Sequence, residues 1–356
     1  MAVPVSPENS TNVRAEERDP AFRAWVSEVA GVIDERFTLD EAPGVRGRAP
    51  GGGVAGAAPP PQEPNQPNVP RSKRPAVAVP WYVRAGFATL GTVSPGVASV
   101  WAEQLFCTPP RYPVPPAEAA ALATAHAGSV VVNGHRLATW TWGQGPTVLL
   151  VHGWGGRGGQ LAGVVPGLLA AGYSVVAFDG PGHGASEGRR SSLVEMARAV
   201  AGVGAALPSR VVGAITHSMG GAATAIAMEG FVTDAPLDLD AAVFIAPPFA
   251  ASHWVAPFAE ALGLPDKVRD GMVRRVEDRL HVRLEDLTMA RTAPRMSTPL
   301  LVIHDADDKE VPHAAGAGIV ARWAGARLHT TNGLGHKRIL ADADVIARAV
   351  GFLAER

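Results

Sequence analysis

RVVGAITHSMGG (210–221) runs a short apolar strand into Ser218 and then into the Ala-rich segment AATAIAMEG, a strong helix former. A serine on a sharp strand-to-helix turn is pushed into a strained conformation with its hydroxyl exposed, and small residues two positions either side let the backbones pass. The helix N-terminus behind it favours negative charge developing at that point. A plainer structural alternative is that Ser218 only caps the helix, as serine often does. The motif alone leaves both open, and the rest of the chain has to decide.

Working outward, strands are expected at 129–133, 136–142, 147–152, 173–179, 210–216, 241–247, 299–305 and 326–331. From the third strand on, helix-length segments separate them, at 158–171, 190–206, 218–230, 312–324 and 338–354. Continuous Val, Ile and Leu runs mark strands buried on both faces, hence a mostly parallel sheet covered by helices. Asn133-Gly134 between the first two runs is a hairpin signal, so the sheet should begin with an antiparallel pair. Residues 248–298 hold no clear strand and read as a helical cap over the sheet's C-terminal edge.

A catalytic serine needs a base, and the base an orienting acid. The strand LLVIHD delivers His304-Asp305-Ala306-Asp307-Asp308-Lys309-Glu310-Val311-Pro312 onto a loop, with Pro312 suited to a helix start. The last strand leads into Asn332-Gly333-Leu334-Gly335-His336, again at a strand's C-terminal end. The chain order is serine, acid, histidine, the order of strand-turn-helix serine hydrolases.

These motifs resemble the α/β-hydrolase superfamily, and within it the branch of monoacylglycerol lipases and related esterases. The resemblance rests on His152-Gly153-Trp154-Gly155-Gly156, on FDGPGHGASEG (178–188), on HSMGG, on DADDKEVP and on GLGH, and it covers about residues 128–356. It implies an α/β-hydrolase fold, with about eight mostly parallel strands, helices on both faces and a small helical cap. By the same resemblance, Ser218 is the nucleophile, His336 the general base and acid, and Asp308 the orienting carboxylate. Asp305 and Asp307 stay open as alternatives, because Asp305 stands where the family pattern has Gly. Backbone amides of Trp154 and Met219 would form the oxyanion hole. Thr216 stands where the family usually has Gly. His217 is expected to line or support the pocket, and Phe249 and Trp254 belong to an apolar part of the cap that would cover it. The activity implied is cleavage of a small-molecule carboxylic ester through an acyl-enzyme, with peptidase, thioesterase or acyltransferase chemistry as the alternatives on the same triad.

A second motif competes. Gly153-Trp154-Gly155-Gly156-Arg157-Gly158 fits G-x-G-x-x-G after a strand, and Asp179 follows about 20 residues later, as in a dinucleotide-binding fingerprint. Its place after a hairpin rather than on the first strand, and Pro181-Gly182-His183-Gly184 directly behind the acid, weigh against an NAD(P)-binding oxidoreductase. Asp179 and His183 then read as turn residues, His152 as a buried hydrogen-bonding residue and His304 as a strand residue. No histidine pair shows metal spacing, and neither metal nor cofactor is expected.

The first third differs in kind. Of the 31 prolines, 19 fall in residues 1–116. Residues 19–38 can form a short amphipathic helix, whereas APGVRGRAPGGGVAGAAPPPQEPNQPNVP (42–70) has too few large apolar side chains to offset ordering entropy. Residues 1–80 are therefore expected to be mostly disordered, and 81–127 to be a helical docking segment with a Pro-rich connector. The uncharged run 85–102 reads as a helix docked on the following domain, with membrane contact by residues 81–106 the lesser reading. Charge is nearly even, 32 Lys and Arg against 33 Asp and Glu, which argues against a nucleic-acid partner. The single cysteine, Cys107, fits a reducing compartment, and with no signal peptide in view a cytoplasmic location is expected.

Overall fold

The computed structural model describes residues 79–356, and eight strands form one sheet in the order β1-β2-β4-β3-β5-β6-β7-β8. These are β1 (His126–Val132), β2 (His135–Trp142), β3 (Thr147–Val151), β4 (Ser174–Phe178), β5 (Val211–His217), β6 (Ala241–Ile245), β7 (Leu300–Asp305) and β8 (Arg327–Thr331). β2 pairs antiparallel with β1 and β4, and every other pairing is parallel. Asn133 at φ 48° and Gly134 at φ 78° supply the two positive dihedrals that a tight hairpin turn with the strands' own twist requires.

Every residue of β3, β4, β6 and β7 is buried, as their unbroken apolar runs require of strands covered on both faces. One layer centres on α5 (Leu193–Ala206) and α6 (Met219–Glu229), whose Val200, Val203, Ala223 and Ile226 pack on Leu149, Phe178 and Phe244. The opposite face is closed by α4 (Val165–Ala170) and α12 (Ala343–Ala354), through Leu168, Val345 and Phe352 against Val148, Val175 and Ile215. Pairing of Val151 with Thr216 brings the C-terminal ends of β3 and β5 side by side, which sets the loop after β3 next to Ser218. The order of strands reverses at β3, the topological switch point where open α/β sheets bind ligands.

Some elements differ from expectation for local reasons. The expected helix 158–171 is a 3-10 segment (Gly158–Val164) followed by α4, with Pro166 in the first turn of the regular helix. The expected helix 338–354 is divided into α11 (Gly335–Arg338) and α12, because the Asp342 carboxylate caps Asp344 and Val345 and starts a new helix. The uncharged run 85–102 is two helices, α1 (Trp81–Val93) and α2 (Pro95–Phe106), since Pro95 cannot donate to a preceding turn.

Residues 248–298 contain no strand of the sheet. They form α7 (Val255–Leu262), α8 (Asp266–Leu280) and α9 (Met289–Thr292), with short 3-10 turns at Ala251–Trp254, Leu284–Asp286 and Ala293–Arg295. α2 lies against α8 with very close approach, and Ser99 Oγ donates to Val268 O at 3.1 Å where Gly271 leaves room for it. Val83, Phe87, Ala98 and Leu105 share a separate apolar core with Phe258, Leu262, Val268 and Met272. The N-terminal helices thus dock on the cap rather than on the sheet. No helix among the described residues is long and apolar enough to cross a membrane. The amphipathic segment 19–38 and the linker 42–70 lie outside the described residues.

Candidate active site

Ser218 sits between β5 and α6 at φ 51°, ψ −126°, a conformation costing on the order of 1–3 kcal/mol for a residue with a Cβ. The strain is held by hydrogen bonds on both sides: Ser218 N–H donates to Ile245 O at 2.8 Å, and Gly221 N–H to Ser218 O at 2.9 Å. Its side chain makes no capping bond to α6, so the capping alternative does not describe it. Gly220 is required by close approach, since a Cβ there would lie 2.5 Å from Val151 O and 2.6 Å from His152 O. Thr216, in the position where Gly is usual, is fully buried within β5 and is accommodated beside Gly221.

His336 lies on the short helix α11, entered through Gly335 at φ 66°. Its Nδ1 is 2.7 Å from Asp308 Oδ2. The other carboxylate oxygen, Oδ1, accepts from the amides of Glu310 and Val311, both at 2.9 Å. Burial alone would raise the Asp308 pKa. The hydrogen bonds from His304 and His336, with the Val311 amide, outweigh it and hold the carboxyl well below the usual range. Asp305 and Asp307 serve the loop instead. Asp305 accepts from Thr331 Oγ1, Leu334 N and Asp307 N, and Asp307 accepts from Gly333 N. Of the three acids only Asp308 meets His336.

Two further histidines brace this pair. His304, expected only as a strand residue, is completely buried, with Nε2 2.9 Å from Val311 O and 3.4 Å from Asp308 Oδ2. His217 donates Nε2–H to His336 O at 2.9 Å, with its ring 4.7 Å from the His336 ring. Burial, reinforced by the neighbouring His336, pushes the His217 pKa down to about 3, so its ring is neutral. His217 both borders the cavity and anchors the segment that carries His336.

The loop after β3 passes directly over the elbow. A Cβ on Gly153 would lie 2.9 Å from Ser218 Cβ, so only glycine allows this contact. The amides of Trp154 and Met219 have no protein acceptor among the described residues. The fully buried His152 ties the loop down. Gly180 N–H donates to its Nε2 at 2.9 Å, which leaves the proton on Nδ1 to be donated to Gly153 O at 2.7 Å. Asp179, the acid of the competing fingerprint, is spent on structure: Oδ1 accepts Gly158 N–H at 2.8 Å and Oδ2 accepts Ala185 N–H at 2.7 Å. With Asp179 3% exposed, a nucleotide ribose could not reach the carboxylate. Among the described residues no group of three or more His, Cys, Asp or Glu side chains could hold a metal ion.

Ser218, His217, Met219, Trp154 and His336 all border one cavity of about 720 Å³, together with Phe249 and Trp254 from the cap. Sequence reasoning missed how much of this cavity the N-terminal segment builds. Leu105, Phe106, Cys107 and Thr108 line it, as do Tyr112 and residues of α3 (Pro116–Leu122). This strap is sewn in by charge. Glu103 is buried, with Arg279 of the cap at 3.0 Å and Arg190 of the loop before α5 at 3.3 Å. Arg279 also donates to Glu195 and to Cys107 Sγ. Burial, aided by the charge of Glu103, pushes the Cys107 thiol up to about 12. Arg111 donates to three carbonyls, those of Gly182, Ser186 and Gly188. Arg157, one residue of the glycine-rich loop, forms a two-pronged pair with Glu118 of α3 at 2.6 and 2.9 Å. The only sequence sign of all this was a set of charges scattered in an otherwise proline-rich region.

The sheet order, the strained serine at the end of β5 and the loop-borne acid and histidine define an α/β-hydrolase. A family model described as the alpha/beta hydrolase family matches residues 148–349, and the chain belongs to that family. Solved structures of like fold include an esterase from Exiguobacterium antarcticum, 16% identical, with a TM-score of 0.51 over 65% of this chain and 100% of that one. An esterase from Pyrococcus furiosus is 20% identical, with a TM-score of 0.50 over 70% of this chain and 96% of that one. The protein Rv0554 from Mycobacterium tuberculosis is 21% identical, with a TM-score of 0.50 over 65% and 99% of the two chains. No curated protein matches the sequence.

Proposed function

We propose that the protein is a serine hydrolase that cleaves small-molecule carboxylic esters through an acyl-enzyme. The observation that carries this reading is the 2.7 Å contact between His336 Nδ1 and the buried, doubly amide-held Asp308, with His336 bordering the same cavity as the strained Ser218. With its Nδ1 proton fixed by Asp308, His336 keeps Nε2 free of a proton and able to take one from Ser218 Oγ. The serine oxygen attacks the ester carbonyl, and the amides of Trp154 and Met219 receive the oxyanion. Each such donor is worth about 2.7–4 kcal/mol in the chemical step. His336 returns the proton to the departing alcohol, then activates water to release the acid. A cavity beneath a helical cap suits a small ester better than a folded protein substrate, and the buried Asp179 leaves the oxidoreductase reading without its ribose-binding acid.

The test is labelling with a fluorophosphonate probe. Stoichiometric modification of the intact protein, lost in Ser218→Ala, is the expected result. No labelling, with enhancement of NADH fluorescence on addition of protein, would overturn the reading in favour of a nucleotide-binding enzyme.

A further inference from the structure

The cavity has two chemically different ends. At one, Glu310 Oε2 lies 3.9 Å from His336 Nε2, and Lys337 borders the same region. At the other, Phe106 and Cys107 of the strap meet Leu280, Leu284, Leu287 and Met289 of the cap in a continuous apolar cluster that also takes in Met219, the residue after the serine. Resting on the serine-hydrolase reading, we propose that the substrates are esters of medium-length fatty acyl chains, with the acyl tail lying between the strap and the cap and its length measured by Phe106 and Leu284.

The direction follows from proton bookkeeping. His336 Nε2 must hand its proton to the departing alcohol, so the alcohol lies at the Glu310 and Lys337 end. The acyl group left on Ser218 then points to the other wall, which is built mainly from the apolar side chains of Phe106, Leu280, Leu284, Leu287 and Met289. A tail there is removed from water along its length, and each buried methylene is worth about 0.8 kcal/mol, about fourfold in kcat/KM. A cavity of about 720 Å³ is far larger than an acetyl group needs and lies within the range of about 300–1,000 Å³ usual for drug-sized ligands. Phe106 of the strap precedes residue 148, where the match to the family begins, whereas Leu284 of the cap lies within it, so the measuring device joins this chain's own N-terminal segment to the matched domain.

The experiment uses the full-length protein and p-nitrophenyl esters from acetate to dodecanoate, with fluorophosphonate labelling of Ser218 run alongside. Octanoate is expected to exceed acetate at least a hundredfold in kcat/KM. Phe106→Ala should move the optimum at least two carbons longer, and Leu284→Phe should lower the octanoate-to-acetate ratio at least tenfold. A protein that labels and hydrolyses but prefers acetate overturns the acyl-pocket proposal while leaving the hydrolase reading intact, as does a chain-length profile unmoved in both variants. Absence of labelling and of hydrolysis for every ester removes both.

Discussion

His217 donates a hydrogen bond from Nε2 to the main-chain carbonyl of His336, 2.9 Å away, so the residue beside the nucleophile holds the backbone of the candidate base. The bond needs a neutral ring only in the sense that the site is too dry for two charged imidazoles, and burial keeps His217 neutral down to about pH 3. His217→Phe should therefore lower kcat for ester hydrolysis at least tenfold by loosening His336, while leaving the pH at half-maximal rate unmoved. A shifted acid limb in this variant would show that His217 titrates during turnover.

The same neutrality makes the fold acid-sensitive. His217 has a folded pKa near 3 against about 6.5 when unfolded, so below pH 6.5 the unfolded chain binds the extra proton and stability falls. His152 and His183, lowered mainly by burial, act in the same direction. Asp308, held low in the fold, adds a loss at still lower pH as it is finally protonated. Urea unfolding at pH 7 and pH 5 should differ by about 2 kcal/mol from His217 alone. Equal stability at the two pH values would contradict the burial of a neutral ring.

Asp308→Asn should lower kcat by about 10⁴, because an amide can no longer fix the proton on His336 Nδ1. The two amides on Oδ1 can still be accepted by the asparagine oxygen, so the loop should keep its shape. Asp305→Asn is the contrast: its partners are Thr331 and the loop amides, and kcat should fall no more than about tenfold while thermal stability drops. Steady-state kinetics with a p-nitrophenyl ester checks both, and the reverse ranking would reassign the acid.

Ser218→Gly should stabilise the protein while abolishing hydrolysis. Glycine adopts φ 51° without the Cβ penalty, so about 1 kcal/mol of strain is released, or about 2–4 °C in Tm for a domain of this size. Calorimetry of the variant against Ser218→Ala, which retains a Cβ, isolates the backbone contribution. Equal melting temperatures would mean the elbow carries no strain.

Arg157 and Glu118 are both largely buried, so removing one partner strands the other's charge. Glu118→Gln is expected to destabilise by about 3–5 kcal/mol. Because Arg157 belongs to the loop that carries Trp154, kcat should fall as well. Unfolding curves and ester kinetics on the same samples check whether the two losses occur together.

The elements that proved legible were those whose pattern has a single physical solution. Unbroken runs such as TVLLV and AAVFI can only be strands covered on both faces, and HSMGG between strand and helix can only be an elbow or a cap. Asp308 was harder, since three acids share one loop and only the partners of each oxygen separate them. A helical docking segment was legible over residues 81–127, but its share in the cavity wall was not. Leu105, Phe106 and Cys107 carry no periodic signal, and Glu103, Arg279 and Arg190 are 176 and 87 residues apart in pairs that only tertiary structure brings together.

That clamp means the border of sequence similarity is not the border of the working molecule. Cutting the gene where the family match begins would discard Glu103 and Glu118 and keep their arginines. The truncated chain would hold the serine, the histidine and the acid, yet Arg157 would lose Glu118, Arg279 would keep only Glu195 of its two carboxylate partners, and one side of the cavity would be open to water. Structure on which the cavity depends therefore starts well before the first strand, at the helix that carries Glu103.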